Sequence, residues 1–501
     1  MSNVIVSTRC GQVRGHFHDG IASFLGIPYA APPFGVNRMR PPRTSEPWSG
    51  VRDAFVHGPS APQPGYAPAM AGLLTEAGPQ GEDCLNLNVW TPSPLQSSEG
   101  LPVMVWIHGG AFRNGSGSLP TYDGSVLAGD GVVCVTLNYR LGAEGFLLLP
   151  DGTANLGLMD QIAALEWVRD NIAAFGGDPG NVTVFGQSAG AISITALMAM
   201  PRAEGLFRRA ITQSGAGHHA HTPETARRIT ERLAALVGVG CTVEALAAVP
   251  PQDLVAANSR LAQEIARSTD PGQWGESAGG GTTVLPVAGT ATLPERPVDA
   301  IAAGAGRQLD LLTGVTAEEF RLFLVPLGMA DRIDDGFLHG FLNALGLEPV
   351  AARAVYAEAR PQTSAAADLF SAVMTDHGYR LPAVRIAEAR AAHGADTYFY
   401  EFTQPSPALN GSLGACHMAE LGPVFGNPHD PLMDTSAHPL LSERIRGAWT
   451  SFARHGRPTT GHLPPWPAYL PGRSVMFLDA TAPAVHQDPA RPERLLWNGL
   501  R

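Results

Sequence analysis

Five residues, Gly186-Gln187-Ser188-Ala189-Gly190, constrain this chain more than any other segment. An apolar, β-branched run, residues 181–185, precedes them, and a helix-like stretch, residues 191–200, follows. Strand, tight turn and helix, with a serine at the tip, is the context in which a G-x-S-x-G match marks a nucleophile. Glycine on both sides suits a strained turn that neighbouring chain approaches closely, because a side chain there would block the approach. The serine would then stand exposed beside the next helix's N-terminus and the Ala189 N–H. With 57 glycines in 501 residues, chance matches are expected, and an ordinary strand–helix turn also fits. The rest of the chain has to decide.

Strand signals recur at residues 102–107, 132–138, 182–185, 210–213, 309–313, 397–402 and 474–478. Several are continuous apolar runs, as in central strands covered on both faces. Between them lie helical patterns; residues 158–174 carry Leu158, Ile162, Leu165, Val168 and Ile172 at three- and four-residue spacing. Asp178-Pro179-Gly180 reads as a turn before the serine's strand. The alternation predicts an α/β fold with a large, mostly parallel central sheet flanked by helices. Ala-rich helical stretches at about 222–275 and 317–392 read as insertions forming a cap above the sheet, and residues 59–81 and 275–281 as surface loops. No repeat or linker divides the chain, although length alone would allow roughly two to four domains.

Composition removes several function classes. All 34 basic residues are arginine, no basic stripe or run occurs, and net charge is −11, so nucleic acid is not an expected partner. No run of about 18 apolar residues exists, and the N-terminal segment lacks a charged region followed by an apolar one, so neither a membrane span nor a secretory signal is expected. Five scattered cysteines without a C-x-x-C pair argue against a disulfide framework or zinc site and for a cytoplasmic home.

An acyl-transfer serine needs a base, an orienting acid and an oxyanion hole. Strand 102–107 runs into His108-Gly109-Gly110-Ala111-Phe112, whose glycines let backbone N–H groups turn towards a ligand. Gly109, Gly110 and Ala189 would supply three donors, with His108 itself structural. The expected order is Ser, acid, His. Gly314-Val315-Thr316-Ala317-Glu318-Glu319-Phe320 and Gly414-Ala415-Cys416-His417-Met418-Ala419-Glu420-Leu421 are suitable strand-end loops. Composition cannot choose His417 from sixteen histidines, and spacing cannot choose Glu319 over Glu318.

The chain resembles the type-B carboxylesterase family, the cholinesterase-like branch of the α/β-hydrolases. The match rests on Phe24-Leu25-Gly26-Ile27-Pro28-Tyr29-Ala30, Glu82-Asp83-Cys84-Leu85-Asn86-Leu87-Asn88-Val89-Trp90, Asn138-Tyr139-Arg140-Leu141-Gly142, Phe175-Gly176-Gly177-Asp178-Pro179, Gln213-Ser214-Gly215 and Val424-Phe425-Gly426, in order and nearly end to end. The resemblance implies one α/β-hydrolase domain over residues 1–501. It implies a Ser188, Glu319, His417 triad, with Ser214 near the acid, and structural ion pairs Arg38–Glu82 and Arg140–Asp160. In the family's secreted members the cysteine matching Cys84 is bridged to one near position 61. Here Ser60-Ala61-Pro62 stands there, which implies a free Cys84. Phe320 replaces the usual glycine after the acid, and Gln187 replaces the glutamate common in animal members.

The resemblance further implies a serine carboxylesterase for small to medium uncharged esters, with amides, carbamates or aromatic diesters as alternatives and a non-catalytic binding protein as a remote one. No cofactor is implied, and a monomer is the simplest expectation. Phe112, Gln187, His218, Phe320 and Phe323 are candidate pocket residues, although apolar spacing fits plain core equally well for the phenylalanines. Gly217-His218-His219-Ala220-His221 lacks nearby Cys, Asp or Glu partners, so no metal is expected. Cys416, next to His417, suggests sensitivity to thiol reagents. Trp449, Phe452 and Ala453 read as a core stripe, and Trp466 and Trp497 as structural.

Overall fold

The computed structural model describes residues 2–92, 100–278, 280 and 282–500; Met1, and Gly279 and Gly281 of the 275–281 loop, lie outside them. Among the described residues, thirteen strands join in one sheet. They are β1 (Ser2–Ser7), β2 (Gln12–His18), β3 (Ile21–Pro28), β4 (Val51–Asp53), β5 (Asn86–Thr91), β6 (Leu101–Ile107) and β7 (Val133–Leu137), then β8 (Gly177–Gln187), β9 (Arg209–Gln213), β10 (Asp310–Thr316), β11 (Thr397–Phe402), β12 (Ser474–Leu478) and β13 (Ala484–Gln487). The spatial order is β1-β2-β3-β5-β7-β6-β8-β9-β10-β11-β12-β13, with β4 paired to β2. From β7 to β12 every pairing is parallel; antiparallel strands close both ends.

Side chains on the central strands alternate between two cores, as a two-residue period dictates. Val103, Val105 and Ile107 of β6 join one core, together with Leu158, Ile162, Leu165 and Val168 of the Leu156–Asn171 helix. Met104 and Trp106 join the other, with Trp449, Phe452 and Ala453 of the Pro439–His455 helix. Covered on both faces, these strands had to be apolar throughout, which is the pattern their sequence carries.

Three local readings need correction. Asp178-Pro179-Gly180 lies within β8, where a register shift between Leu101 and Val103 accommodates it and Asp178 Oδ1 accepts the Gly180 N–H at 2.8 Å. Gly314 to Thr316 belong to β10, so the acid's loop starts only at Ala317. Arg38 pairs with buried Glu144 at 2.5 Å, and Glu82 is exposed. Arg38 also donates to the carbonyls of Ala247 and Val249, tying the 243–248 helix to the N-terminal layer. The pair Arg140–Asp160 does form, at 2.7 Å, in a fully buried site. All five cysteines are unpaired, and Cys241 alone is exposed. The Ser60 hydroxyl, near the position of the missing bridge partner, donates to Ser116 Oγ at 2.8 Å.

The helical stretches comprise Pro223–Val237, Val243–Ala248, Pro251–Ala266 and Pro271–Trp274, then Arg321–Leu324, Asp335–Ala344, Pro349–Glu358, Ala366–Thr375 and Leu381–Ala391. Between the last two, residues Asp376–Arg380 wind as a π-helical turn. Among the described residues, no helix is long and apolar enough to cross a membrane.

Candidate active site

Ser188 stands between β8 and the Ala189–Ala199 helix with φ 54° and ψ −121°, a conformation that non-glycine residues rarely adopt. Surrounding chain enforces it. A Cβ on Gly190 would come within 1.9 Å of the Ile107 carbonyl oxygen at the end of β6. One on Gly109 would meet the Gln187 carbonyl at 2.7 Å and Ser188 Cβ at 3.2 Å. Side-chain-free positions on two neighbouring strand ends thus let backbone crowd around the serine. The amides of Gly109, Gly110 and Ala189 donate to no other described residue. His108 accounts for its own position: it is buried, stacks on Tyr139 at 4.4 Å and contacts the Gly109 carbonyl through Nδ1 at 2.8 Å. Burial lowers its pKa to about 4, which keeps the ring neutral.

Glu319 and His417 come together although 98 residues separate them. His417 Nδ1 lies 2.5 Å from Glu319 Oε2, with both side chains buried. The other carboxylate oxygen accepts the Thr316 N–H at 2.8 Å. Glu318, the alternative acid, instead pairs with Arg321 at 2.9 Å and accepts the Ala415 N–H. The geometry therefore separates two adjacent glutamates that spacing could not.

The far nitrogen of the imidazole has an unexpected partner. His417 Nε2 faces the side-chain amide nitrogen of Gln187 at 3.0 Å, and no hydrogen bond joins it to Ser188. With the Nδ1 proton given to Glu319, Nε2 carries a lone pair that the Gln187 N–H can satisfy. Such looseness between nucleophile and base is common before substrate binds. Gln187, expected as pocket wall, is thus a partner of the His417 imidazole. Phe323 (5.3 Å between ring centroids) and Tyr379 (5.0 Å) flank the same imidazole. Sequence reasoning missed Tyr379, which no motif marks.

The remaining candidates scatter. Phe320 packs on Phe323 and Phe370 at the edge of the 317–392 helices. Phe112 is fully buried against Phe146 at 4.6 Å, which makes it core rather than pocket wall. His218 is half-buried on the loop after β9. Ser214 is buried with φ 54°, its N–H bonded to the Gly314 carbonyl; its hydroxyl makes no hydrogen bond, so it does not hold Glu319 directly. His221 pairs with Ser277 at 2.7 Å, and no group of three or more potential metal ligands occurs among the described residues. Cys416 is completely buried and burial pushes its thiol well up, so the expected reactivity is not supported.

Behind Glu319 lies a second buried carboxyl group. Glu420 accepts from Gln213 Nε2 at 3.2 Å, and Gln213 Oε1 accepts the Trp449 indole N–H at 3.0 Å. Burial, reinforced by the Glu319 charge, raises its pKa to about 8, so it is protonated at neutral pH.

A serine on a strained strand–helix turn, a buried acid–imidazole pair beside it and unspent amides opposite it define an α/β-hydrolase, in a sheet whose parallel core is flanked by helices on both faces. The carboxylesterase family model matches residues 2–494, and the chain belongs to that family; it is a carboxylic ester hydrolase. It is 40% identical to a para-nitrobenzyl esterase of Bacillus subtilis, over 99% of this chain and 98% of that one. It is 36% identical to a phenmedipham hydrolase of Pseudarthrobacter oxydans, with 98% of each covered. A solved carboxylesterase of Geobacillus stearothermophilus superposes with a TM-score of 0.86 at 37% identity, covering 98% of this chain and 99% of that one.

Proposed function

We propose that Ser188, His417 and Glu319 hydrolyse small to medium uncharged carboxylic esters through an acyl-enzyme. As Ser188 Oγ attacks the ester carbonyl, His417 Nε2 takes its proton, and Glu319 stabilises the imidazolium that results. The N–H groups of Gly109, Gly110 and Ala189 hold the oxyanion. Collapse of the tetrahedral intermediate expels the alcohol, which takes the proton back from His417. Water then attacks the acyl-enzyme through the same base, and Ser188 is regenerated. The observation that carries this reading is the buried 2.5 Å Glu319–His417 contact beside a serine elbow with three unspent amides.

The helices at about 222–275 and 317–392 act in this reading as a cap over the site, and the substrate enters beneath them. Aromatic esters fit best, because Phe320 and Phe370 stand beyond Phe323 on the imidazole's side. The relative named as a phenmedipham hydrolase supports a second reading, in which the same groups also hydrolyse phenmedipham. The enzyme works in the cytoplasm, a reading supported by its five unpaired cysteines, and a monomer is the simplest state for it.

The test is intact mass after a fluorophosphonate serine probe, with Ser188→Ala alongside. The expected result is one adduct per chain, lost in the variant together with p-nitrophenyl butyrate turnover. An unlabelled, inert wild type would overturn the reading. Turnover of phenmedipham by the labelled-competent enzyme decides the second reading.

A further inference from the structure

The catalytic imidazole is held by more than its acid. Phe323 and Tyr379 lie against it at centroid distances of 5.3 and 5.0 Å, both rings tilted by 48° to the imidazole. They come from different directions. Phe323 sits in the Arg321–Leu324 turn of helix just after Glu319, and packs on Phe320. Tyr379 comes from the π-helical turn Asp376–Arg380, more than fifty residues later. Single π-turns inside helices recur at functional sites because the wider turn re-aims the side chains it carries.

This turn is anchored on both sides. Asp376 accepts from the Tyr356 hydroxyl at 2.7 Å and pairs with Arg380, whose guanidinium also reaches Glu401 at 3.2 Å. The Trp497 indole N–H donates to the same Tyr356 hydroxyl at 3.0 Å. A buried ionic framework thus fixes the one turn that brings Tyr379 onto the base. The Tyr379 hydroxyl makes no hydrogen bond to a described residue, so it is the ring that is placed.

We infer that Phe323 and Tyr379 are positioning residues for His417, holding the imidazole plane and stabilising the imidazolium that forms as it takes the Ser188 proton. This rests on the assignment of His417 as base. A cation within about 6 Å of an aromatic centroid is attracted by the ring's quadrupole, whereas the neutral imidazole gains less. Both ring centroids lie within that range of the imidazole, so the two tilted rings favour the charged form reached in the transition state, which is the differential stabilisation that accelerates a reaction. The other titratable groups around the ring are Glu319 on Nδ1 and, clustered about that carboxylate, Glu420, Cys416 and Tyr400. Gln187 on Nε2 is neutral.

The experiment compares Tyr379→Leu, Tyr379→Phe and Phe323→Leu with wild type on p-nitrophenyl butyrate and phenyl acetate, recording kcat, KM and the pH profile of kcat/KM. Tyr379→Phe keeps the ring and should stay within about twofold of wild type. Each leucine variant should lower kcat by about three- to thirtyfold, by the same factor on both esters, with little change in KM. The acid limb of kcat/KM should move to lower pH in both, because the imidazolium of the free enzyme loses the same stabilisation. Complete labelling of each variant by the serine probe shows that the site is folded. Ester-dependent changes confined to KM would make these residues pocket wall and overturn the inference, as would a kcat loss with an unmoved acid limb. A wild type that fails to label at Ser188 would instead sink the functional reading. Wild-type kinetics in both leucine variants, with labelling intact, would sink this inference alone.

Discussion

The two sides of the site are built by opposite means. At the ends of the parallel strands the candidate groups depend on backbone: Ser188 in a strained turn, the unspent amide of Ala189 beside it, and those of Gly109 and Gly110 held where a Cβ would collide. On the side of the 317–392 helices everything is side chain, with Phe320, Phe323, Phe370 and Tyr379 touching ring to ring up to the imidazole. The first arrangement tolerates almost no substitution. The second can change size and shape while the sheet stays put. In the proposed reading the strand ends supply the nucleophile and the oxyanion donors, while the helices supply the rings against His417 and, through Phe320 and Phe370, the fit to the ester.

The sharpest blow to that division falls on the strand-end side. Glu319→Gln keeps the shape but removes the charge that orients the imidazole, and kcat should fall by about 10³- to 10⁴-fold with KM nearly unchanged. A loss below tenfold would mean that Glu319 does not serve the base. Gly109→Ala should cost about 10²–10³ in kcat, because its Cβ displaces the loop from the Gln187 carbonyl and carries an oxyanion donor with it. Near-normal kcat in purified, folded variant would remove Gly109 from the hole.

On the helical side the effect should be milder. Phe320→Ala should raise KM for a benzyl ester about threefold to tenfold while leaving that for ethyl acetate unchanged. A fall in Tm with no change in either KM would make Phe320 core and blur the comparison.

The smallest effect concerns Glu420, behind both regions. Its folded pKa of about 8 lies above its ordinary value of 4.5, so the folded state binds the extra proton in between. Stability from this group is complete below pH 4.5 and declines as pH rises towards 8. Glu420→Gln removes that slope. Its Tm should exceed that of wild type at pH 8 by a few degrees, with the gap closing towards pH 5. Parallel Tm curves for the two proteins would contradict the buried, protonated carboxyl.

Legibility from sequence follows the same divide. The strands Thr397–Phe402 and Ser474–Leu478 begin and end where their apolar runs do, because burial on both faces leaves no room for ambiguity. The N-terminal strands read differently: β1 is mostly exposed, and β5 interleaves Asn86 and Asn88 with its apolar residues, so no strand signal stood out there. At the site, the elbow and the Gly-Gly loop were legible because close backbone approach leaves glycine as its record. The glutamate pair could not be resolved by spacing, since the choice depends on Arg321 and the Ala415 N–H claiming Glu318. Tyr379 was invisible for a different reason. Its aim depends on one extra residue in a helical turn, and nothing in Asp376-His377-Gly378-Tyr379-Arg380 announces a wider winding. The Gln187 contact likewise depends on a side-chain orientation that no pattern encodes.

The distribution of thiols offers a practical handle. Cys84, Cys134 and Cys416 are sealed in the interior and Cys10 is half covered, while Cys241 is exposed just ahead of the Val243–Ala248 helix. A maleimide dye at limiting dose will therefore mark that position first, with no engineered cysteine and no thiol near the base exposed to it. A fluorophore there sits beside the helix that Arg38 fastens to the N-terminal layer through Ala247 and Val249. Its emission would report in real time whether those helices shift when an ester arrives.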